Sequence, residues 1–192
     1  MSKPKLFFGT GNPKKLKEIN EILGERYEIS SFHDLPEKIE VVEDRPDLKG
    51  NAVKKAQEHY DVVGVPCFAD DTGLEVEALD GRPGVYSARY AGPECDAQAN
   101  MAKLLEELEG KANRKARFVT VIAYWDGERL ETFEGVLNGE IGFEKRGDQG
   151  FGYDPIFLPD GDGRTLAEHS PEEKNAISHR GRALAQLADF LS

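Results

Sequence analysis

Apolar positions recur along this chain with two periods, one suited to strands and one to helices. Lys5-Leu6-Phe7-Phe8 is a short apolar run broken by Gly9-Thr10-Gly11-Asn12, and it predicts a buried strand. Leu16, Ile19, Ile22 and Leu23 then recur at spacings of three and four, the stripe of a helix with one core-facing side. Asn12 stands where an N-cap belongs, and Pro13 suits the first helical position. Tyr27-Glu28-Ile29-Ser30 predicts a second strand. Leu48, Ala52, Ala56 and His59-Tyr60 predict a helix beyond the polar stretch His33 to Pro46. Val65, Cys67, Phe68 and Ala69 then predict a buried strand. Its end delivers Asp70 and Asp71 into a Thr72-Gly73 turn before Leu74-Glu75-Val76-Glu77-Ala78 resumes alternation.

Asp80-Gly81-Arg82-Pro83-Gly84 is a turn cluster, and Val85 to Tyr90 either packs as a strand or rims a pocket. Asp96 to Leu108 predicts an amphipathic helix with Met101, Leu104, Leu105 and Leu108 inward and Gly110 as its stop. Ala116 to Tyr124 and Glu131 to Leu137 predict an antiparallel pair across Asp126-Gly127, so the fold class is α/β with a mixed sheet. Ser170-Pro171-Glu172-Glu173 is a capping box that starts a helix with Lys174 and Ser178 on one face. Leu184, Leu187 and Leu191 form the inward stripe of the C-terminal segment.

Charge narrows the function classes. Thirty-six acidic residues against 25 basic ones give a net charge of −11 over 192 residues. Long-range electrostatics therefore oppose a nucleic-acid partner, and an anionic ligand must be met by local groups. Cys67 and Cys95 form neither a zinc pattern nor a disulfide framework, which points to a reducing, cytoplasmic setting. The opening MSKPKLFFGTGN has no apolar run of signal-peptide length, and no stretch approaches a membrane span, so no membrane association is expected.

Candidate chemistry lies in four places. Adjacent carboxylates at a strand end suit Mg²⁺, which binds through one or two carboxylates plus substrate phosphates; an Asx turn is the alternative. Lys14 and Lys15 sit in the first turn of a helix, where the dipole disfavours each cation by ~0.3–1 kcal/mol. An anion over the Gly9–Asn12 turn resolves that conflict, whereas two solvated lysines leave it standing. Asn51 and Lys55 lie one turn apart, either sharing a ligand or facing solvent. Gly150-Phe151-Gly152-Tyr153-Asp154 sets two aromatic rings among glycines, as a nucleobase platform or as core residues in a bulge. No serine or cysteine stands in a nucleophile motif, so His179 completes no triad.

Taken in order, Thr10-Gly11-Asn12-Pro13-Lys14-Lys15, Asn51-Ala52 with Lys55-Ala56, Ala69-Asp70-Asp71-Thr72-Gly73, Gly150 to Pro155, and Glu173 to Arg180 resemble the inosine triphosphate pyrophosphatase family, the Ham1-like dITP/XTP pyrophosphatases. The resemblance runs from Leu6 to the final helix. It implies an elongated two-lobed α/β fold, a mixed sheet flanked by helices around a central substrate cleft, and a homodimer. It also implies Mg²⁺-dependent cleavage of a purine nucleoside triphosphate (ITP, dITP or XTP) to the monophosphate and pyrophosphate. By the same resemblance Thr10, Gly11, Asn12, Pro13, Lys14 and Lys15 hold the triphosphate with Asn51, Lys55 and Thr72. Asp71 is the proton acceptor and binds the metal with Glu43, Glu40 and Asp44 being alternatives in that loop, and Asp71 or its catalytic neighbour Asp70 orients the water that attacks the α-phosphate. Phe151, Gly152, Tyr153 and Asp154 form the base pocket, and Lys174, His179 and Arg180 read the oxygenated edge of the purine. A Maf-like pyrophosphatase for other modified nucleotides and a non-catalytic nucleotide sensor are the rival readings.

Overall fold

A computed structural model describes residues 2–192. The chain runs β1 (Lys5–Phe8), α1 (Pro13–Leu23), β2 (Glu28–Ser30), α2 (Leu48–Val63), β3 (Cys67–Val76), β4 (Pro83–Gly84), α3 (Ala97–Glu107), β5 (Lys115–Trp125), β6 (Leu130–Ile141), β7 (Phe157–Pro159), α4 (Pro171–Ile177) and α5 (His179–Phe190). Among the described residues seven strands form one sheet in the order β2-β1-β3-β5-β6-β7, with β4 paired to β3. β1 is parallel to β2 and β3, whereas β3–β4 and β6–β7 are antiparallel, so the sheet is mixed as the hairpin signal predicts. Among the described residues no helix is long and apolar enough to cross a membrane.

Two compact units divide the chain. The first comprises Met1–Asp71, Val121–Glu134 and Ala183–Ser192. Its core joins Leu6, Phe8 and Phe68 to Ile19 and Leu23 of α1 and to Leu184 and Leu187 of α5. Strand alternation sends Phe7 to the opposite face of β1, where its ring meets Phe32 and His59. Ile22, expected in the inward stripe of α1, is 40% exposed, so the buried side is narrower than its periodicity predicts. The second unit comprises Thr72–Thr120 and Gly135–Arg182. Leu74, Val76, Met101, Leu104, Phe118, Leu137, Tyr153 and Phe157 build its core.

Three local expectations are corrected. No turn follows Asp71: β3 runs unbroken through Asp70-Asp71-Thr72-Gly73, because the Thr72 hydroxyl meets that of Thr120 on β5 (2.8 Å) and Ser87 Oγ accepts the Leu74 N–H (2.8 Å). Val85 to Tyr90 holds no strand. Ser87–Arg89 is a 3-10 turn, pinned by Ser87 Oγ donating to the Gly84 carbonyl (2.5 Å) and by Asn100 Nδ2 donating to the Ala88 carbonyl (2.9 Å). The helix that starts at the Ser170 capping box ends at Ile177, since Ser178 is extended and its hydroxyl accepts the Gly181 N–H (3.0 Å), opening α5. Ser178 thus ends one helix and caps the next, and His179 stands at the start of α5.

Candidate active site

The first unit gathers the proposed polyphosphate and metal residues. After β1 the backbone turns through Gly9–Asn12, and the turn is fixed internally: Thr10 Oγ1 accepts the Asn12 N–H (3.0 Å) and Asn12 Oδ1 accepts the Lys14 N–H (2.9 Å). Asn12 is the N-cap of α1 and Pro13 its first residue, as predicted. Lys14 is exposed, whereas Lys15 reaches back to β3, where its Nζ donates to Asp70 Oδ2 (2.6 Å). That ion pair is largely buried, the side chains being 19% and 4% exposed. Removing one partner of such a pair strands a buried charge and costs ~3–5 kcal/mol.

Alternation along β3 points Asp70 and Asp71 to opposite faces of the sheet. Asp70 takes Lys15 from α1, and Asp71 faces α2, whose Lys55 Nζ lies 3.7 Å from its Oδ1. Lys55 also donates to Glu43 Oε1 (2.9 Å) and to the Asp70 carbonyl (2.8 Å). The acidic loop is held against α2 by Asn51, Lys54 and Lys55. Asn51 Oδ1 accepts the Arg45 N–H (3.0 Å), Lys54 Nζ donates to Asp44 Oδ1 (2.9 Å), and Lys55 holds Glu43. Asp44 is therefore tied to Lys54, and Glu43 is the loop acid that shares a lysine with Asp71. Asn51 is fully buried, and its brace on the loop is a structural task that its sequence spacing to Lys55 does not reveal.

Burial pushes the Asp71 carboxyl up to about 6 despite the nearby Lys55, and the negative charges of Glu43 and Asp70 add to the rise. Burial works against the Lys55 ammonium, yet Asp71, Asp70 and Glu43 outweigh it and raise its pKa above the usual lysine value. Among the described residues no group of three or more His, Cys, Asp or Glu side chains converges as a metal cage. The donor set that exists is two oxygen-bearing side chains, Glu43 and Asp71, on one lysine. It fits Mg²⁺, which completes its shell with water and phosphate oxygens, and does not fit a closed zinc site.

The second unit gathers the proposed base-reading residues. Phe151 is 53% exposed, with the Lys174 ammonium 4.5 Å and the Arg180 guanidinium 5.7 Å from its ring centre. Asp154, buried, accepts the Phe151 N–H (3.0 Å) and pairs with Lys174 Nζ (2.5 Å). Gly150 is required here twice over: its φ is +71°, and a Cβ would overlap the Asp154 carboxylate. His179 is buried and stacks on Phe118, with centroids 4.8 Å apart and planes at 17°. Thr72 bonds Thr120 at the unit's start. Tyr153 departs from the expectation of a ring lining a base pocket. Its ring lies in the core and its hydroxyl donates to the Ser87 carbonyl (2.7 Å), which leaves only its backbone to meet a ligand. Phe118 is not legible as a site residue, since the fold sets its His179 partner, and Gly150 stands in the glycine-aromatic string without that string showing its contact with Asp154.

The sequence matches the Ham1 family over residues 6–190. It is 51% identical over 188 residues to a dITP/XTP pyrophosphatase of Porphyromonas gingivalis, with 97% of each chain covered. It is 48% identical to one of Geobacter sulfurreducens, covering 97% of this chain and 96% of that one. The Staphylococcus aureus Ham1 protein superposes with a TM-score of 0.93 at 37% identity over 97% of both chains. A dITP/XTP pyrophosphatase structure from Mycobacterium abscessus gives 0.83 at 45% identity, covering 95% of this chain and 98% of that one.

Proposed function

The chain belongs to the Ham1 family, and from that premise we propose that it is a dITP/XTP pyrophosphatase whose first unit carries the polyphosphate-binding residues and whose second carries the base-reading residues. Water attacks the α-phosphorus of the non-standard purine nucleotide, releasing the monophosphate and pyrophosphate. The observation that carries this reading is the arrangement about Asp70-Asp71, where Lys15 pairs with Asp70 and Lys55 lies against Asp71 and Glu43, so that carboxylates able to hold a cation stand with lysines able to meet phosphate oxygens in a protein of net charge −11.

The Gly9–Asn12 turn, at the positive end of α1, and Lys14 and Lys15 bind the phosphates. Asp71 is the base that orients and deprotonates the attacking water. A carboxyl that titrates near 6 holds a proton more firmly than an ordinary aspartate while remaining mostly ionised at neutral pH, a balance suited to general base work. Asp70, tied to Lys15 through its side chain and to Lys55 through its carbonyl, aims the two lysines and is not the base. Mg²⁺ held by Glu43 and Asp71 with the substrate phosphates would supply neutralisation of the oxyanion charge. A homodimer is the assembly we expect, and sedimentation velocity would test it.

Selectivity follows from donors around Phe151. The purine stacks on that ring, and Lys174 and Arg180 donate to the 6-oxo group. Adenine presents an amino group there and leaves those donors unpaired, a mismatch that in buried sites separates substrates by ~10⁴-fold. Arg180→Ala is therefore expected to narrow the dITP-over-dATP ratio of kcat/KM by at least about tenfold, because the guanidinium no longer favours one base edge. A panel of nucleotides assayed for pyrophosphate release reads this ratio, and an unchanged value would remove Arg180 as a base reader. The same panel separates this activity from one on other modified nucleotides.

A further inference from the structure

His59 belongs to no functional group assigned so far, yet it lies directly under the phosphate-binding turn. Its ring is 1% exposed and packs edge-on against Phe7 (5.9 Å, 70°) and Phe32 (5.2 Å, 83°). Nδ1 has no hydrogen-bond partner among the described residues, so shape holds the ring in place. That shape has a counterpart. A Cβ built on Gly9 would overlap Cε1 and Nδ1 of His59. Gly9 does not need to be glycine for its backbone, since its φ lies outside the left-handed region. Only the imidazole beneath it excludes a side chain.

Gly9 is the first residue after β1, and its N–H is already committed to the Phe68 carbonyl (3.0 Å). The turn that follows is braced by Phe32, whose N–H reaches the Thr10 carbonyl (3.4 Å) and whose ring lies 3.8 Å from where a Gly11 Cβ would stand. The imidazole thus fills the space between the strand exit and the Phe32 brace. We infer that Gly9 and His59 form a matched pair that sets the seat of the phosphate-binding turn, which makes His59 a positioning residue for the polyphosphate. This rests on the reading of the Gly9–Asn12 turn as the phosphate site. The pair acts on groups that hold phosphates equally in the ground and transition states, so its loss falls on KM and spares kcat.

The test uses Gly9→Ala, His59→Ala and the double variant. Gly9→Ala forces the turn off its seat, and a shift of this kind is expected to raise KM for dITP and XTP alike by about tenfold, with kcat within about threefold and the dITP-over-dATP ratio unchanged. Calorimetric titration with inorganic pyrophosphate and Mg²⁺, which needs no turnover, should weaken in parallel. His59→Ala in the same chain makes room for the new methyl and is expected to recover most of the lost affinity. If Gly9→Ala does not fold, His59→Ala alone leaves a void under the turn and should still weaken pyrophosphate binding by about threefold or more. Unfolding midpoints that shift while KM and pyrophosphate affinity stay at wild-type values would mean that the pair only packs the core, and would overturn the inference. So would a double variant no better than Gly9→Ala. A wild-type protein that binds pyrophosphate but leaves dITP and XTP intact would count against the proposed activity instead.

Discussion

Asp71→Asn is expected to leave the fold intact and to lower kcat for dITP by about 10²–10⁴-fold, the range that a positioned general base supplies. The amide keeps the volume and a hydrogen-bonding tip but can neither accept a proton from water nor offer a charged oxygen to Mg²⁺. Asp70→Asn serves as the internal control. It removes the charge that holds Lys15 at 2.6 Å and should raise KM by about tenfold, with a much smaller effect on kcat, because a misaimed phosphate ligand weakens binding more than chemistry. Pyrophosphate release under saturating substrate, with circular dichroism to verify folding, separates the two variants. Near-normal turnover in Asp71→Asn would remove it as the base, and a collapse of kcat in Asp70→Asn alone would move the role to its neighbour.

The second large effect is in stability against pH, where two buried groups pull in opposite directions. Burial pushes His59 down to about 4, with the Lys55 charge adding to the shift. The unfolded chain therefore binds its proton more readily, so the contribution of His59 is complete above about 6.5 and is lost as pH falls through 4; it amounts to about 3 kcal/mol. Asp71, raised to about 6 by burial, has the opposite sign. Its contribution is complete below about 4 and is lost as pH rises through 6, again about 3 kcal/mol. In buffer free of divalent ions the two nearly cancel between pH 4 and 6. Denaturant titrations of His59→Phe and Asp71→Asn should each expose the other slope. Relative to wild type, His59→Phe should gain about 3 kcal/mol on going from pH 6.5 to 4, and Asp71→Asn should lose a similar amount from pH 6 to 4. Parallel curves for all three proteins would show that neither group is buried in the way described.

What could be read from the sequence was local. Asn12-Pro13 and Ser170-Pro171 mark helix starts through side chains within three residues of the backbone they cap, and both were legible. The Asp126-Gly127 link between adjacent strands was legible for the same reason. The acidic motif was recognised but given the wrong backbone, since Asp-Asp-Thr-Gly carries turn composition while the contacts that keep it extended, Thr120 and Ser87, are supplied by other elements. Tyr153 is ambiguous in the sequence because an aromatic among glycines suits a platform or a core equally, and its hydroxyl finds Ser87 66 positions away. His59 is legible only as one position of a helical pattern, and nothing in the chain pattern brings it under Gly9.

The strand that carries the two acids also limits how the chain can change length. Neighbours on a pleated strand look in opposite directions, so the assignment of each carboxylate depends on parity. Excising one residue between Cys67 and Ala69 would turn Asp71 to the face of Lys15 and Asp70 to the face of Lys55 without altering either side chain. Insertions and deletions are therefore tolerable around this segment only outside Cys67–Val76, or in pairs within it.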